Sequence, residues 1–284
     1  MSEPIYIILN GKLVEEQEAK ISPANRGMMY GDGCFETIRY YAGSFLRWNR
    51  HYQRLKGGLE YLGINPAFTA DELMEQVLSL LEANQLAEKE SMVRIQCWRE
   101  GGRGYAADSI SMNWMIQAVV IVSGASPLKL TVAETRCIPS VALQRKYKLS
   151  NGLNYIKAAQ EASRRQCNDS LMLTMHAKIS ETTSANIFWV KENEVYTPDD
   201  DCDLLPGVTR RIVMEVVSSL GIVLIKGKFN LSEIREAEAV FVTNSLVEIK
   251  EILSLDDLIF EMKHPLVTKI KEGFERYKVQ ELKI

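Results

Sequence analysis

The 284-residue sequence predicts two α/β domains. Three observations carry that expectation. Strand-like and helix-like stretches alternate in both halves, the pattern of mixed layers packed around a core. The run Ser123-Gly-Ala-Ser-Pro127 is the clearest break in composition, and small, turn-forming residues of this kind mark linkers. The length suits one large domain or two modest ones, and 46% apolar residues suffice for a sizeable core. The expected domains are therefore residues 1–122 and 123–284, with a site in the cleft between them. No internal repeat or low-complexity tract is present.

In the first half, residues 5–9 are apolar and rich in β-branched side chains. Asn10-Gly11 favours the left-handed conformations of a tight turn, so Leu13-Val14 returns antiparallel. Residues 22–33 carry Pro23, Asn25, Gly27, Gly31 and Gly33 and read as a loop between strands. Residues 36–41 form a strand, Ala42-Gly43 a turn and residues 44–48 a returning strand. Residues 49–62 have helical spacing, with Leu55, Leu59 and Leu62 on one stripe and His51 an ordinary helix residue. Thr69-Ala-Asp-Glu72 is a capping box that opens a second helix, whose inward stripe is Leu73, Val77, Leu80 and Leu81. Residues 92–98 alternate, with Val93, Ile95 and Cys97 on one face and Arg94 on the other. Residues 99–105 (REGGRGY) allow two readings. One is a hairpin loop with solvated arginines; the other is a loop whose two arginines and tyrosine clamp a carboxylate. Residues 113–122 read as a buried strand.

The second domain opens with the alternating residues 129–136. Arg136 and Arg145 follow, and either could hold a carboxylate or a phosphate. Residues 154–166 form a helix with Ile156, Ala159, Ala162 and Ser163 inward, and residues 170–174 a strand. His176 sits in a surface turn. Residues 181–184 (ETTS) are too polar for a core strand and precede the apolar residues 187–190. Residues 192–194 turn the chain into residues 195–198. The acidic stretch 199–203 lacks EF-hand spacing and reads as a solvated loop. Residues 205–210 (LLPGVTR without its first Leu) open a helix that runs to Leu220 and stops at Gly221, with Ile212, Val213, Val216, Val217 and Leu220 inward. The free N–H groups of Val208 and Thr209 favour an anion there. Residues 239–242 form a buried strand ending in Thr243-Asn244-Ser245, and a helix beginning near Pro265 closes the chain.

A formal charge of −3 excludes a basic nucleic-acid surface. No zinc-finger or EF-hand pattern is present, so no metal is expected. The five cysteines (Cys34, Cys97, Cys137, Cys167, Cys202) are far apart and odd in number, which fits reduced thiols in a cytoplasmic protein. The N-terminal MSEPIYIILNGK has no basic segment followed by a long apolar one, so no signal peptide is expected. The most apolar run, residues 115–122, is too short to span a bilayer.

The chemistry concentrates between Lys146 and Glu181. A lysine precedes the small polar turn Ser150-Asn151-Gly152, and a helix, a strand, a turn and a glutamate follow. A lysine amine can capture a cofactor aldehyde as a Schiff base, and a carboxylate facing a pyridinium nitrogen is the usual electronic partner of such a cofactor. The stretches RGMMYGDGCFETIR, HYQRL, GGRGY, KLSN, ISETTSANIFWV, LLPGVTR and FVTNS are each weak alone. In this order and at these intervals they resemble the class IV pyridoxal-phosphate enzymes: branched-chain aminotransferases, D-amino-acid aminotransferases and aminodeoxychorismate lyases.

The resemblance covers nearly the whole chain. It implies a two-domain D-amino-acid aminotransferase-like α/β fold with pyridoxal 5′-phosphate in the interdomain cleft. It also implies a homodimer in which a loop of one subunit completes the other's site. Through K-x-x-N with Asn151, it makes Lys148 rather than Lys146 the Schiff-base lysine, and Glu181 the partner of the ring nitrogen. Arg54 of the HxxRL pattern, Val208, Thr209, Asn244 and Ser245 would hold the phosphate. Tyr30, Phe35, Arg94, Arg103 and Tyr105 would meet the substrate. The implied activity is transfer of an amino group between an amino acid, branched-chain-like or D, and a 2-keto acid. The alternative is a lyase that splits aminodeoxychorismate into 4-aminobenzoate and pyruvate, toward which GGRGY leans. The branched-chain pattern carries a tyrosine two residues before Arg94, where this chain has Met92. A non-catalytic relative would have lost Lys148, Arg54 or Glu181, and all three are present.

Overall fold

The computed structural model describes residues 4–122 and 127–283, so all of the composition break except Pro127 lies outside the described residues. The chain forms two compact units. The first takes the residues up to Val122 together with Tyr147–Asn151, and the second takes the remainder.

The first unit is built on five antiparallel strands: β1 (Tyr6–Leu9), β2 (Lys12–Glu15), β3 (Gly33–Tyr41), β4 (Glu90–Arg99) and β5 (Met112–Val120). Their order is β2-β1-β5-β4-β3. The Asn10-Gly11 turn forms as expected, with Leu9 opposite Lys12 and both turn residues at positive φ (50° and 77°). Three helices belong to this unit: α1 (Arg26–Tyr30), α2 (Trp48–Tyr61) and α3 (Ala70–Ala83). In α3 the capping box forms and Leu73, Val77, Leu80 and Leu81 are all buried.

Three expectations need correction here. The stretch 22–33 is not all loop: Asn25 caps α1 by accepting from the Met28 N–H, and Gly31 ends it in the left-handed conformation (φ 67°). Residues 44–48 do not return as a strand. They make one bridge, Tyr40 to Phe45, before α2 begins at Trp48. Strand β5 buries only alternate side chains, and Val119 and Val120 are exposed.

The second unit holds β6 (Leu128–Val132), α4 (Leu153–Arg164), β7 (Asp169–Leu173), β8 (Ile179–Thr182), β9 (Asn186–Lys191), β10 (Glu194–Pro198), α5 (Val208–Ser219), β11 (Leu224–Gly227), α6 (Leu231–Arg235), β12 (Ala239–Asn244), β13 (Glu248–Leu255), β14 (Leu258–Ile259) and α7 (Pro265–Leu282). The sheet runs β11-β10-β9-β12-β13-β6-β7-β8, and β8 returns to pair with β9 through Glu181 opposite Asn186. Six strands thus close into a ring, which removes the free edges there. Leu130, Leu171, Ile187, Trp189, Val240 and Ile252 pack in its core.

Two further corrections belong to this unit. The polar stretch that begins at Glu181 does enter a core strand: all of β8, Ile179–Thr182, is buried. Closure of the ring explains this for Glu181 and Thr182, because Tyr155, Asn186, Leu205 and the Ala185 backbone supply the partners that water would otherwise give. Helix α4 buries Ala158 and Ala162, whereas Ile156 is 56% exposed and Ala159 and Ser163 also face solvent. Among the described residues no helix is long and apolar enough to cross a membrane.

Candidate active site

The lysine segment is positioned by β3. The Phe35 N–H donates to the Lys148 carbonyl at 2.9 Å, Leu149 bridges Cys34, and the Ser150 N–H donates to the Gly33 carbonyl at 2.9 Å. Lys148 is thereby fixed against the start of a strand. Its Nζ lies 4.7 Å from the centroid of the Phe35 ring, and Arg94 Cζ lies 4.0 Å from the same centroid. Burial lowers the pKa of Arg94 from its ordinary value. Gln96 links the two elements, accepting from Arg94 Nη2 at 3.1 Å and donating to Ser150 Oγ at 2.8 Å. Asn151 donates to the Tyr30 carbonyl at 3.4 Å. Phe35, Arg94, Tyr30 and Lys148 are therefore neighbours within the first unit.

Arg54 lies on α2 and makes a two-pronged pair with Glu36 of β3: Nε to Oε1 at 2.6 Å and Nη2 to Oε2 at 2.9 Å. His51, one turn earlier, meets Glu36 Oε2 through Nδ1 at 2.9 Å. Burial acts to raise the Glu36 pKa, but the Arg54 charge and hydrogen bonds, with His51, outweigh it and bring the carboxyl down to about 2. Burial also lowers the His51 pKa from its ordinary value, against the opposing pull of Glu36, and the Nδ1 that faces the carboxylate is the nitrogen that donates to it. Glu36 is a member of this cluster that sequence reasoning missed. HxxRL signals the two helical members, but no periodicity records a partner on a strand 18 residues earlier.

In the second unit, Glu181 sits in the middle of the closed sheet at 5% exposure. Its Oε1 accepts from the Tyr155 hydroxyl at 2.7 Å, and its Oε2 accepts from Asn186 Nδ2 at 3.2 Å and the Leu205 N–H at 3.0 Å. Arg145, also buried, donates to the Tyr155 oxygen, while Arg136 donates locally, to the Ala133 carbonyl. Tyr155 and Asn186 are the residues the sequence did not single out; of the two arginines it offered, Arg145 is the one that joins this cluster. The signal for Tyr155 was the true buried face of α4, Tyr155-Ala158-Ala162 at helical spacing.

Asn186 Nδ2 also donates to the Leu205 carbonyl at 2.8 Å, tying Glu181 to the approach of α5. That helix starts at Gly207 with no side-chain cap, so the first N–H groups, those of Val208 and Thr209 included, have no capping side chain. Helix α5 packs on β12, and near the end of β12 the buried Thr243 Oγ1 has no partner. The Asn244 side chain is occupied in the turn that follows: it accepts from the Leu246 and Val247 N–H groups and donates to the Ser184 carbonyl. Ser245 is half-buried beside it. A separate cleft of about 450 Å³ on this unit is lined by Lys146, Asp200, Asp201 and Lys228. Its Lys228 and Asp201 pair with each other at 3.4 Å.

Tyr105 and Arg103 lie on the exposed loop between β4 and β5, beside Tyr30. Tyr105 is 92% exposed, with its ring 5.5 Å from that of Tyr30, and Arg103 is exposed on the same loop.

The mixed α/β fold is that of an aminotransferase. The chain belongs to the class IV aminotransferase family, whose model matches residues 33–255. It is 27% identical over 258 residues to the aminodeoxychorismate lyase of Bacillus subtilis strain 168, covering 89% of this chain and 87% of that protein. It is 25% identical over 264 residues to a D-alanine aminotransferase of Listeria monocytogenes, covering 88% and 87%. Its fold matches the branched-chain aminotransferase of Thermoproteus uzoniensis, crystallised with norvaline, at a TM-score of 0.92 and 26% identity over 98% of this chain and 96% of that one.

Enzymes of this family use pyridoxal 5′-phosphate. The residues present fit that group. The capless start of α5 and the unpartnered Thr243 hydroxyl suit an anion with several acceptor oxygens. A carboxylate buried at Glu181 suits a cationic ring nitrogen.

Proposed function

We propose that this protein transfers an amino group between a small amino acid, branched-chain-like or D, and a 2-keto acid. The observation that carries this reading is Glu181, a carboxylate buried in a closed sheet and fixed by three donors from Tyr155, Asn186 and Leu205. Such a group is costly in a core unless it serves a cation. Lys148 is the attachment point of the cofactor, and Glu181 meets its ring nitrogen. Arg54, Val208, Thr209, Asn244 and Ser245 hold its phosphate. When bound, the cofactor supplies an electron sink for the charge left at the substrate α-carbon. Lys148 Nζ moves the proton at that carbon. Tyr30, Phe35, Arg94, Arg103 and Tyr105 orient the substrate, with Arg94 and Phe35 offering a cation and an apolar face side by side.

A second reading, cleavage of aminodeoxychorismate to 4-aminobenzoate and pyruvate, is favoured by the exposed Arg103 on the Gly101-Gly102-Arg103-Gly104-Tyr105 loop, an anion-binding group on the substrate side. Domains at 1–122 and 123–284, a homodimer and a cytoplasmic setting complete the proposal. The five free cysteines support that setting.

Product analysis separates the two activities. The cofactor-loaded protein is given L-leucine or D-alanine with 2-oxoglutarate, or freshly generated aminodeoxychorismate. Keto acid formed in step with amino acid consumed is the expected result and fixes the handedness. Pyruvate and 4-aminobenzoate from the third substrate alone make the protein a lyase. Lys148→Ala abolishes turnover in either case, and borohydride reduction followed by peptide mass spectrometry finds the cofactor on Lys148 in the unsubstituted protein. A Lys148→Ala protein with full activity refutes the lysine assignment.

A further inference from the structure

The 101–105 loop joins two long strands, carries three glycines, and has positive φ at Gly101 (131°) and Gly104 (99°). Loops of that composition are ordinarily mobile, because glycine leaves the backbone so many alternatives. Here the backbone carbonyls turn instead toward a single guanidinium. Arg26, on α1 and 4% exposed, donates from Nη1 to the Gly102 oxygen at 2.9 Å and to the Gly104 oxygen at 2.7 Å. Its Nη2 reaches the Tyr105 oxygen at 3.4 Å, and its Nε donates to Asp32 Oδ2 at 2.7 Å.

Asp32 is itself held by Arg99, whose Nε donates to the same oxygen at 3.0 Å. Arg99 spends its remaining donors on the backbone oxygens of Leu62, Gly63 and Ser109. Tyr30, from the same helix as Arg26, accepts the Gly104 N–H at 2.9 Å, and its ring lies 5.5 Å from that of Tyr105 and 5.1 Å from Arg26 Cζ. The loop backbone is therefore satisfied inward, and what faces outward is Arg103 and Tyr105. Among the described residues Arg103 makes no hydrogen bond or ion pair.

We propose that Arg26, braced by Asp32 and Arg99, is a positioning residue that fixes the 101–105 loop so that Arg103 and Tyr105 stand preorganised for a substrate carboxylate. The substrate half of this inference rests on the function proposed above. The sequence offered both Arg99 and Arg103 as carboxylate ligands. The geometry separates them: Arg99 is committed to Asp32 and three carbonyls, and Arg103 is the group available to a ligand. A rigid presentation lowers the ordering cost of binding, so the clamp acts on substrate affinity more than on the chemical step.

The test is Arg26→Lys in the cofactor-loaded enzyme. Lysine keeps the charge beside Asp32 but is a point donor and cannot span three carbonyls. Hydrogen–deuterium exchange is expected to quicken about tenfold in the 100–107 peptide, the size of one lost charge-assisted hydrogen bond, with the β4 and β5 core unchanged. KM for the amino donor is expected to rise about tenfold while kcat moves less than about threefold. Tyr30→Phe, which removes the acceptor for the Gly104 N–H and keeps the ring beside Tyr105, is expected to give a smaller loosening of the same peptide. Unchanged exchange in the loop overturns the clamp, and so does faster exchange spread evenly through β4 and β5. A loosened loop with unchanged KM overturns the substrate half. The exchange measurement needs no turnover, so it decides the clamp even where the function reading fails.

Discussion

At Glu36 two opposing effects meet. Burial favours the protonated acid, and the Arg54 fork with the His51 ring favours the anion. The anion wins, with the pKa brought from 4.5 to about 2. Because the folded value is depressed, the unfolded chain takes up its proton first as pH falls. The stabilisation is present above about 4.5 and is lost as pH falls toward about 2. Glu36→Gln sets a neutral amide against the half-buried Arg54 guanidinium, so it is expected to cost roughly 3 kcal/mol at pH 7, the low end for a broken buried pair. The gap from the unsubstituted protein should narrow as pH drops through that window. Urea unfolding at pH 7, 4.5 and 3 reads both quantities; a gap constant across the three refutes an ionised Glu36. The motif that named Arg54 was legible in the sequence because it is local. Its partner was not, because pairing across a fold leaves no mark in spacing.

Among the elements, the start of α5 has the narrowest tolerance. A methyl at Gly207 would collide with Asn186 Oδ1, and Asn186 is the residue that holds both Glu181 and the Leu205 carbonyl. Gly207→Ala must therefore move either the first turn of α5 or the amide that fixes Glu181. Affinity of the cofactor-free protein for pyridoxal phosphate is expected to fall about tenfold or more, as read by fluorescence titration. Equal affinity would mean that the first turn of α5 does not hold the phosphate. Helices with wide apolar stripes or explicit caps were legible to within about a residue where the sequence marks an end: both ends of α2, the start of α3 and the end of α5. Strand β8 was not, since Ser180, Glu181 and Thr182 look like a surface stretch until a closed ring of strands surrounds them. The face of α4 was misread for a related reason. Tyr155 turns inward for its hydroxyl contact with Glu181, and small Ala158 and Ala162 follow, which leaves the more apolar Ile156 outside.

On the scale of the whole molecule, the cofactor is a ligand of the folded chain alone, because the groups proposed to hold it lie far apart in sequence. Loading must then stabilise the protein by mass action, by about 2.7 kcal/mol at a hundredfold excess over Kd. For a chain of this size that is a rise of about 5 °C or more in the midpoint of thermal unfolding. The covalent and non-covalent parts of this shift are separable. Lys148→Ala removes the attachment but leaves Arg54, the α5 N–H groups and Glu181, so it should retain part of the rise when excess cofactor is supplied. Loss of the whole rise in Lys148→Ala would mean that the phosphate and ring contacts contribute no affinity. Absence of any rise in the unsubstituted protein would remove the cofactor from the argument altogether. A partial rise is what an enzyme needs whose cofactor must stay bound while its link to lysine is broken, since only contacts independent of that link can retain it through turnover.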